Sequence, residues 1–215
     1  MATILIVSIV VHEIGHAVVL EANGVMTHMF FAIILGGVTY DKRYKHVEAR
    51  LPWNTKALTY LAGVMGNLVV ALAGGMLYWM GLVTAMEALQ IVNLNAVLIF
   101  YNIFPVWITD GGRFTKIFFD SSPEHMDGHW VFRMLIPIGM AAFFLTIVSP
   151  QMFLFTTPVM FWSLHYQATH DDPKGSKNKL AMTQPQRIRW ATIYITIFTV
   201  GMIMLAYTPD WILKK

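Results

Sequence analysis

Six long apolar runs divide this chain, and they constrain its fold more than any other feature. They are Thr3–Ala22, Ala57–Val83, Leu89–Trp107, Trp130–Ser149, Gln151–His165 and Trp190–Tyr207. About 20 apolar residues is the length at which an α-helix crosses a hydrocarbon core about 30 Å thick. The fifth run is shorter and follows Pro150 with Pro158 inside it, which fits a tilted or partly re-entrant segment. Only 13% of the 215 residues are charged, about half the share found in soluble domains, so too few charges exist to coat a water-facing surface. The expectation is an all-α polytopic membrane protein of about six transmembrane helices, forming a single integral-membrane domain over residues 1–215. Nucleic acid is excluded as a partner, because the net charge of +3 comes from a few loop clusters and makes no basic face. The absence of cysteine removes disulfides, thiolate metal sites and cysteine nucleophiles. The first run has no basic leader and reads as a retained helix rather than a cleaved signal.

Charge asymmetry gives an orientation. The loops Asn23–Lys56, Ile108–His129 and Tyr166–Arg189 lie on one side of a six-span arrangement. Together with Arg133 they hold every Lys and Arg except Lys214 and Lys215. The positive-inside rule then places these loops in the cytoplasm and both termini on the other side. The stretch Met26–Tyr40 is apolar but too short to span. Gly36 and Gly37 sit between β-prone runs there, which predicts a small β-hairpin dipping back into the membrane, its backbone covered by protein or water.

Inside the first run lies His12-Glu13-Ile14-Gly15-His16. Residues four apart share one helix face, so both imidazoles can bind a single Zn²⁺. Glu13 is rotated by about 100° from His12, within reach of water activated by the metal without being a ligand itself. It is the candidate general base, taking a proton from that water and returning it to the leaving amine. Three ionisable groups within a membrane span are costly unless they bind something. A catalytic zinc with two histidines needs a third protein ligand and an open position. Asp110 is the best candidate. It follows the third run in Asn102-Ile103-Phe104-Pro105-Val106-Trp107-Ile108-Thr109-Asp110-Gly111-Gly112-Arg113, where Pro105 interrupts the helix and the glycines allow close approach. Asp110 and His16 both fall toward the cytoplasmic side.

This motif set resembles the site-2 protease family of intramembrane zinc metalloproteases over roughly the first 120 residues. HEIGH is similar to the family's HExxH helix, and Leu35-Gly36-Gly37-Val38 to the glycine-bearing turn of its membrane-re-entrant hairpin. Ala62-Gly63-Val64-Met65-Gly66-Asn67 resembles the AGPxxN segment, with Val64 in place of proline. Asn102 to Pro105 and Asp110 to Arg113 resemble NxxP…LDGGR, with Thr109 in place of leucine. The resemblance implies zinc ligands His12, His16 and Asp110, one zinc per chain, catalytic Glu13, and supporting roles for Asn67, Asn102 and Pro105. It implies hydrolysis of peptide bonds in or near the transmembrane segment of a membrane-protein substrate. No PDZ or CBS module is present to narrow the choice, and the helices expected over 130–207 match no family motif. An extended substrate is expected to add to a strand edge near Phe30–Val38.

Two other readings remain open. His125, His129, His165 and His170 lie in the cytoplasmic loops, and spaced histidines on one side are what a membrane di-iron oxygenase or desaturase uses. That reading leaves Glu13 and the Asn102–Arg113 segment without a role, and the bland expectation for these four is solvated loop residues. The third reading is a catalytically inactive relative that only binds transmembrane helices. The tryptophans near run ends read as interfacial anchors, and the glycines of the second run as close helix packing.

Overall fold

The computed structural model describes residues 2–32, 35–40, 51–104, 109–120 and 183–206. These are mostly helical. Helix α1 covers Ala2–Ala22, α2 Trp53–Trp79, α3 Ala85–Ile103, α4 Asp110–Asp120 and α5 Gln184–Ala206, with strands β1 (Thr27–Ala32) and β2 (Leu35–Tyr40) between α1 and α2. Three of the helices, α1, α2 and α3, are long and apolar enough to cross a membrane. The outer faces of α1 and α2 carry Ile6, Val18, Val69, Leu72 and Met76, each more than half exposed. An apolar exterior of that extent suits hydrocarbon better than water. Residues 190–206 of the last expected run lie in α5, whereas Trp130–Ser149 and Gln151–His165 lie outside the described residues.

Helix ends differ from the hydropathy boundaries by about a turn, and local capping accounts for it. The second run was expected to reach Val83, but α2 stops at Trp79. Gly81 takes φ 71°, and its N–H donates to Tyr78 O while that of Leu82 donates to Leu77 O. This Schellman arrangement closes the helix and favours glycine at the left-handed position. Helix α3 begins at Ala85, before the expected Leu89, because Thr84 and Glu87 form a reciprocal capping box. It ends at Ile103 rather than Trp107. Phe104 is extended, with ψ 135°, the conformation imposed on a residue that precedes proline.

Strands β1 and β2 pair antiparallel, from Thr27 opposite Tyr40 to Ala32 opposite Leu35, and they lie against α1. Gly36 and Gly37 are therefore inside β2, opposite Phe31 and Phe30, and not in the connecting turn where the sequence reading put them. That register pairs six residues of each strand, which satisfies their facing backbone groups.

The main core forms where α2 meets the other helices. Trp53, Ala57, Leu61 and Val64 of α2 pack with Ile99 and Ile103 of α3, Phe114 and Ile117 of α4, and Trp190 of α5. Phe114 stacks on Tyr194 with ring centroids 5.0 Å apart. Trp190 Nε1 donates to Asn54 Oδ1 at 2.7 Å, and the Tyr194 hydroxyl donates to the carbonyl of Ile103. That carbonyl belongs to the last turn of α3, whose acceptors have no partner within the helix. The bond holds the point from which the chain turns toward α4.

Tyr194→Phe should therefore lower stability by about 1–3 kcal/mol, because it strands an acceptor at a helix end. Thermal unfolding in detergent micelles measures this. A melting temperature unchanged from wild type would show that the α3–α5 bond contributes nothing.

Candidate metal centre

Helices α1 and α2 run antiparallel and very close. Gly66 lies against the backbone of Val11 and His12, and Gly15 against the backbone of Ala62. This approach brings the face of α1 that carries Ser8, His12 and His16 onto the face of α2 that carries Thr59, Gly63 and Asn67. Both sets repeat every four residues, so the rows interlock. His12, Glu13, His16, Thr59 and Asn67 are all buried. Counted from the end of α1 at Ala22, His16 is roughly 9 Å and His12 roughly 15 Å along the helix.

Asp110 reaches the two histidines from the first position of α4. Thr109 caps that helix, its Oγ1 accepting from the Gly112 N–H at 3.3 Å and donating to the Phe104 carbonyl. Thr109 thus has a local function as a helix cap. Gly111 presses against the carbonyl of Ile103, where no side chain fits, and this contact docks α4 under the end of α3. A carboxylate at a helix N-terminus is favoured by the helix dipole.

The result is a near-equilateral triangle of atoms. Asp110 Oδ2 is 3.0 Å from His12 Nε2 and 3.1 Å from His16 Nε2, and the two Nε2 atoms are 3.1 Å apart. The other ring nitrogens fix the tautomers. His16 Nδ1 donates to the carbonyl of Thr59 at 2.7 Å, and His12 Nδ1 donates to Asn67 Oδ1 at 2.9 Å. In a neutral imidazole with its proton on Nδ1, Nε2 presents a lone pair. Burial pushes the Asp110 carboxyl up, but charge and hydrogen bonding from the His16 and His12 rings, in their protonated form, hold it below the usual carboxylate range. With both rings neutral and Asp110 ionised, three lone pairs face one another across these distances. With a ring protonated, its Nε2–H pairs with the carboxylate instead. Asp110 Oδ2 is fully buried and has no hydrogen-bond partner among the described residues.

A cation resolves the repulsion of the neutral-ring form. Tetrahedral coordination at about 2.0–2.2 Å sets donor atoms about 3.3–3.6 Å apart, a few tenths of an ångström wider than the spacing seen. Two imidazoles and one carboxylate suit zinc and ferrous iron better than magnesium or calcium. The residues therefore fit a metal ion, held by His12, His16 and Asp110, which form a potential metal-ligating group. Glu13 directly follows His12 on α1 and is buried as the ligands are. Arg113 lies over the ring of Tyr60, 5.9 Å from its centroid.

Other expected site residues lie elsewhere. Asn102 donates to the Leu98 carbonyl one turn back along α3, at 3.0 Å. Gly36 and Gly37 are in β2, and Pro105 lies outside the described residues, as do His125, His129, His165 and His170. Two contributors were not singled out from the sequence. The Thr59 backbone carbonyl carries no sequence signature. Gly63, read only as packing, is the floor beneath both imidazoles. A side-chain carbon there would stand 2.7 Å from His12 Nε2 and closer still to His16 Nε2. Its spacing of four from Asn67 was the available signal.

Compared with models of known protein families, the chain matches none, and a comparison with curated proteins also finds no match.

Gly63→Ala should push the imidazoles apart while leaving a helix-favouring residue in α2. Metal affinity, measured by competition with a chelator, is expected to fall at least about tenfold with the fold retained. Gly75→Ala, where an added carbon meets open space, should bind metal as wild type does. Equal affinities in the two variants would contradict this role of Gly63.

Proposed function

We propose that this chain is an intramembrane zinc metalloendopeptidase resembling the site-2 protease family, acting on peptide bonds in or near the transmembrane segments of other membrane proteins. One observation carries the reading: two imidazole Nε2 atoms and a carboxylate oxygen converge within 3.1 Å, and a fourth ionisable group, Glu13, is buried on the same helix turn. A ligand set alone suits several metals. The extra carboxylate, outside the triangle, is what hydrolysis requires and what an oxygenase would not need.

Zinc, when bound, supplies a Lewis acid that acidifies water and polarises the scissile carbonyl. The chain's own groups do the rest. Glu13 takes a proton from the attacking water and returns it to the leaving amine. Asn67 and the Thr59 carbonyl hold the two rings in the tautomer that presents Nε2. A substrate helix hides its carbonyls in internal hydrogen bonds, so it must be held extended locally. The β1–β2 pair offers main-chain donors and acceptors along its outer edges for strand addition, a mode with little side-chain selectivity. In this reading the protein is multi-pass, its basic loops and its catalytic centre lie toward the cytoplasm, and its termini lie on the other side.

Purified protein should carry about one zinc per chain, and His12→Ala, His16→Ala or Asp110→Ala should lose it. Two irons per chain would favour the oxygenase reading instead. Glu13→Gln keeps shape but removes the base. Zinc and fold should survive, while cleavage of a transmembrane reporter substrate in proteoliposomes falls by about 10²–10⁴. Near-wild-type proteolysis in that variant would overturn the assignment of Glu13.

A further inference from the structure

Beneath the metal ligands, on the side away from Asp110, three fully buried polar atoms have no partner among the described residues: Asn67 Nδ2, Ser8 Oγ and Asn95 Oδ1. Each belongs to a residue with no solvent exposure at all, and each is on a different helix. Ser8 is one turn before His12 on the same face of α1. Ala71 is one turn beyond Asn67 on α2. The Ile91 side chain of α3 packs on Gly74, so Asn95, one turn further along that antiparallel helix, comes level with Ala71. Ala71 is itself buried and offers only a methyl group, so it satisfies none of these polar atoms.

We propose that Ser8, Asn67 and Asn95 enclose a site for a few ordered water molecules over Ala71, and that these waters orient the metal ligand His12 through Asn67. The inference rests on the metal reading of the site above, and water is the ligand whose chemistry fits. It accepts from an amide N–H, donates to an amide oxygen, and does either with a hydroxyl. Polar cavities between buried groups of this kind hold water, whereas apolar ones stay dry.

The direction of each bond is determined. Asn95 Nδ2 donates to the Ile91 carbonyl at 2.8 Å, which leaves Asn95 Oδ1 as an acceptor only. Water donating to that oxygen has a lone pair free for Asn67 Nδ2. Asn67 Oδ1 then faces His12, accepts its Nδ1 proton, and leaves Nε2 bare for the cation. An Asn67 amide turned the other way would present its NH₂ to the ring. The ring proton would then move to Nε2, and the ligand would be lost. Ser8 and Asn95 are on this account positioning residues that act through Asn67.

Two measurements test it. In metal-free protein labelled with ¹⁵N-asparagine, the Asn67 side-chain amide, identified by its loss in Asn67→Asp, should show a cross-peak to water. That cross-peak should vanish in Ala71→Val, which fills the space. Zinc affinity, by chelator competition, should fall about tenfold in Asn95→Leu, at the lower end for groups behind a metal ligand. A wild-type Asn67 amide with no contact to water overturns the proposal, even if the variants fail to fold. So does Asn95→Leu protein that binds zinc as tightly as wild type. A wild-type protein that shows the water contact but takes up no zinc would overturn the role assigned to the water in orienting a metal ligand. It would also count against the metal reading itself.

Discussion

Two imidazole nitrogens and a carboxylate oxygen aimed at one buried point are the contact on which the rest of the structure depends. Like-charged or like-polarised groups brought within 3.1 Å repel strongly when the local dielectric is low. The surrounding helices hold the arrangement, and in the proposed reading a cation completes it. Most of the unusual features of the first 120 residues serve that geometry. Glycines at 15 and 66 let α1 and α2 approach. Thr109 and Gly111 set the start of α4 so that Asp110 reaches inward. The Tyr194 hydroxyl secures the end of α3 from which that reach begins.

Helix α2 has the central part. Its residues at 59, 63 and 67 respectively accept a hydrogen bond from one histidine, make room for both, and accept a hydrogen bond from the other. One face therefore sets the position and the tautomer of both rings. This differs from a site built on loops, where each ligand needs separate support. Its rigidity comes from helix–helix packing that the bilayer does not drive, which is why small residues at the contact matter more than apolar ones. The same face continues to Ala71, where the polar character passes to Ser8 and Asn95.

Much of this could be read from the sequence, for reasons specific to each residue. The i, i+4 spacing of His12 and His16 fixes a shared face in any helix, and the apolar run around them demands one. Asp110 was chosen by topology and by motif, and the structure brings it to both rings. Helix ends were misjudged by about four residues because hydropathy does not register a capping box or a left-handed glycine. Gly36 and Gly37 were placed in a turn because two glycines in a β-prone stretch look like one. Register over six residue pairs puts them in a strand instead. The Thr59 carbonyl was invisible, since every residue has one. Asn102 was assigned a supporting role by motif alone, and it bonds within its own helix.

The central claim is that His12, His16 and Asp110 form a metal site and not a buried ion-pair cluster. X-ray absorption at the zinc edge of purified, zinc-loaded wild-type protein tests it most directly. The account predicts a single four-coordinate zinc with two imidazole nitrogens and oxygen donors at about 2.0–2.2 Å. A protein that takes up no zinc, or a zinc shell without two imidazoles, would contradict it.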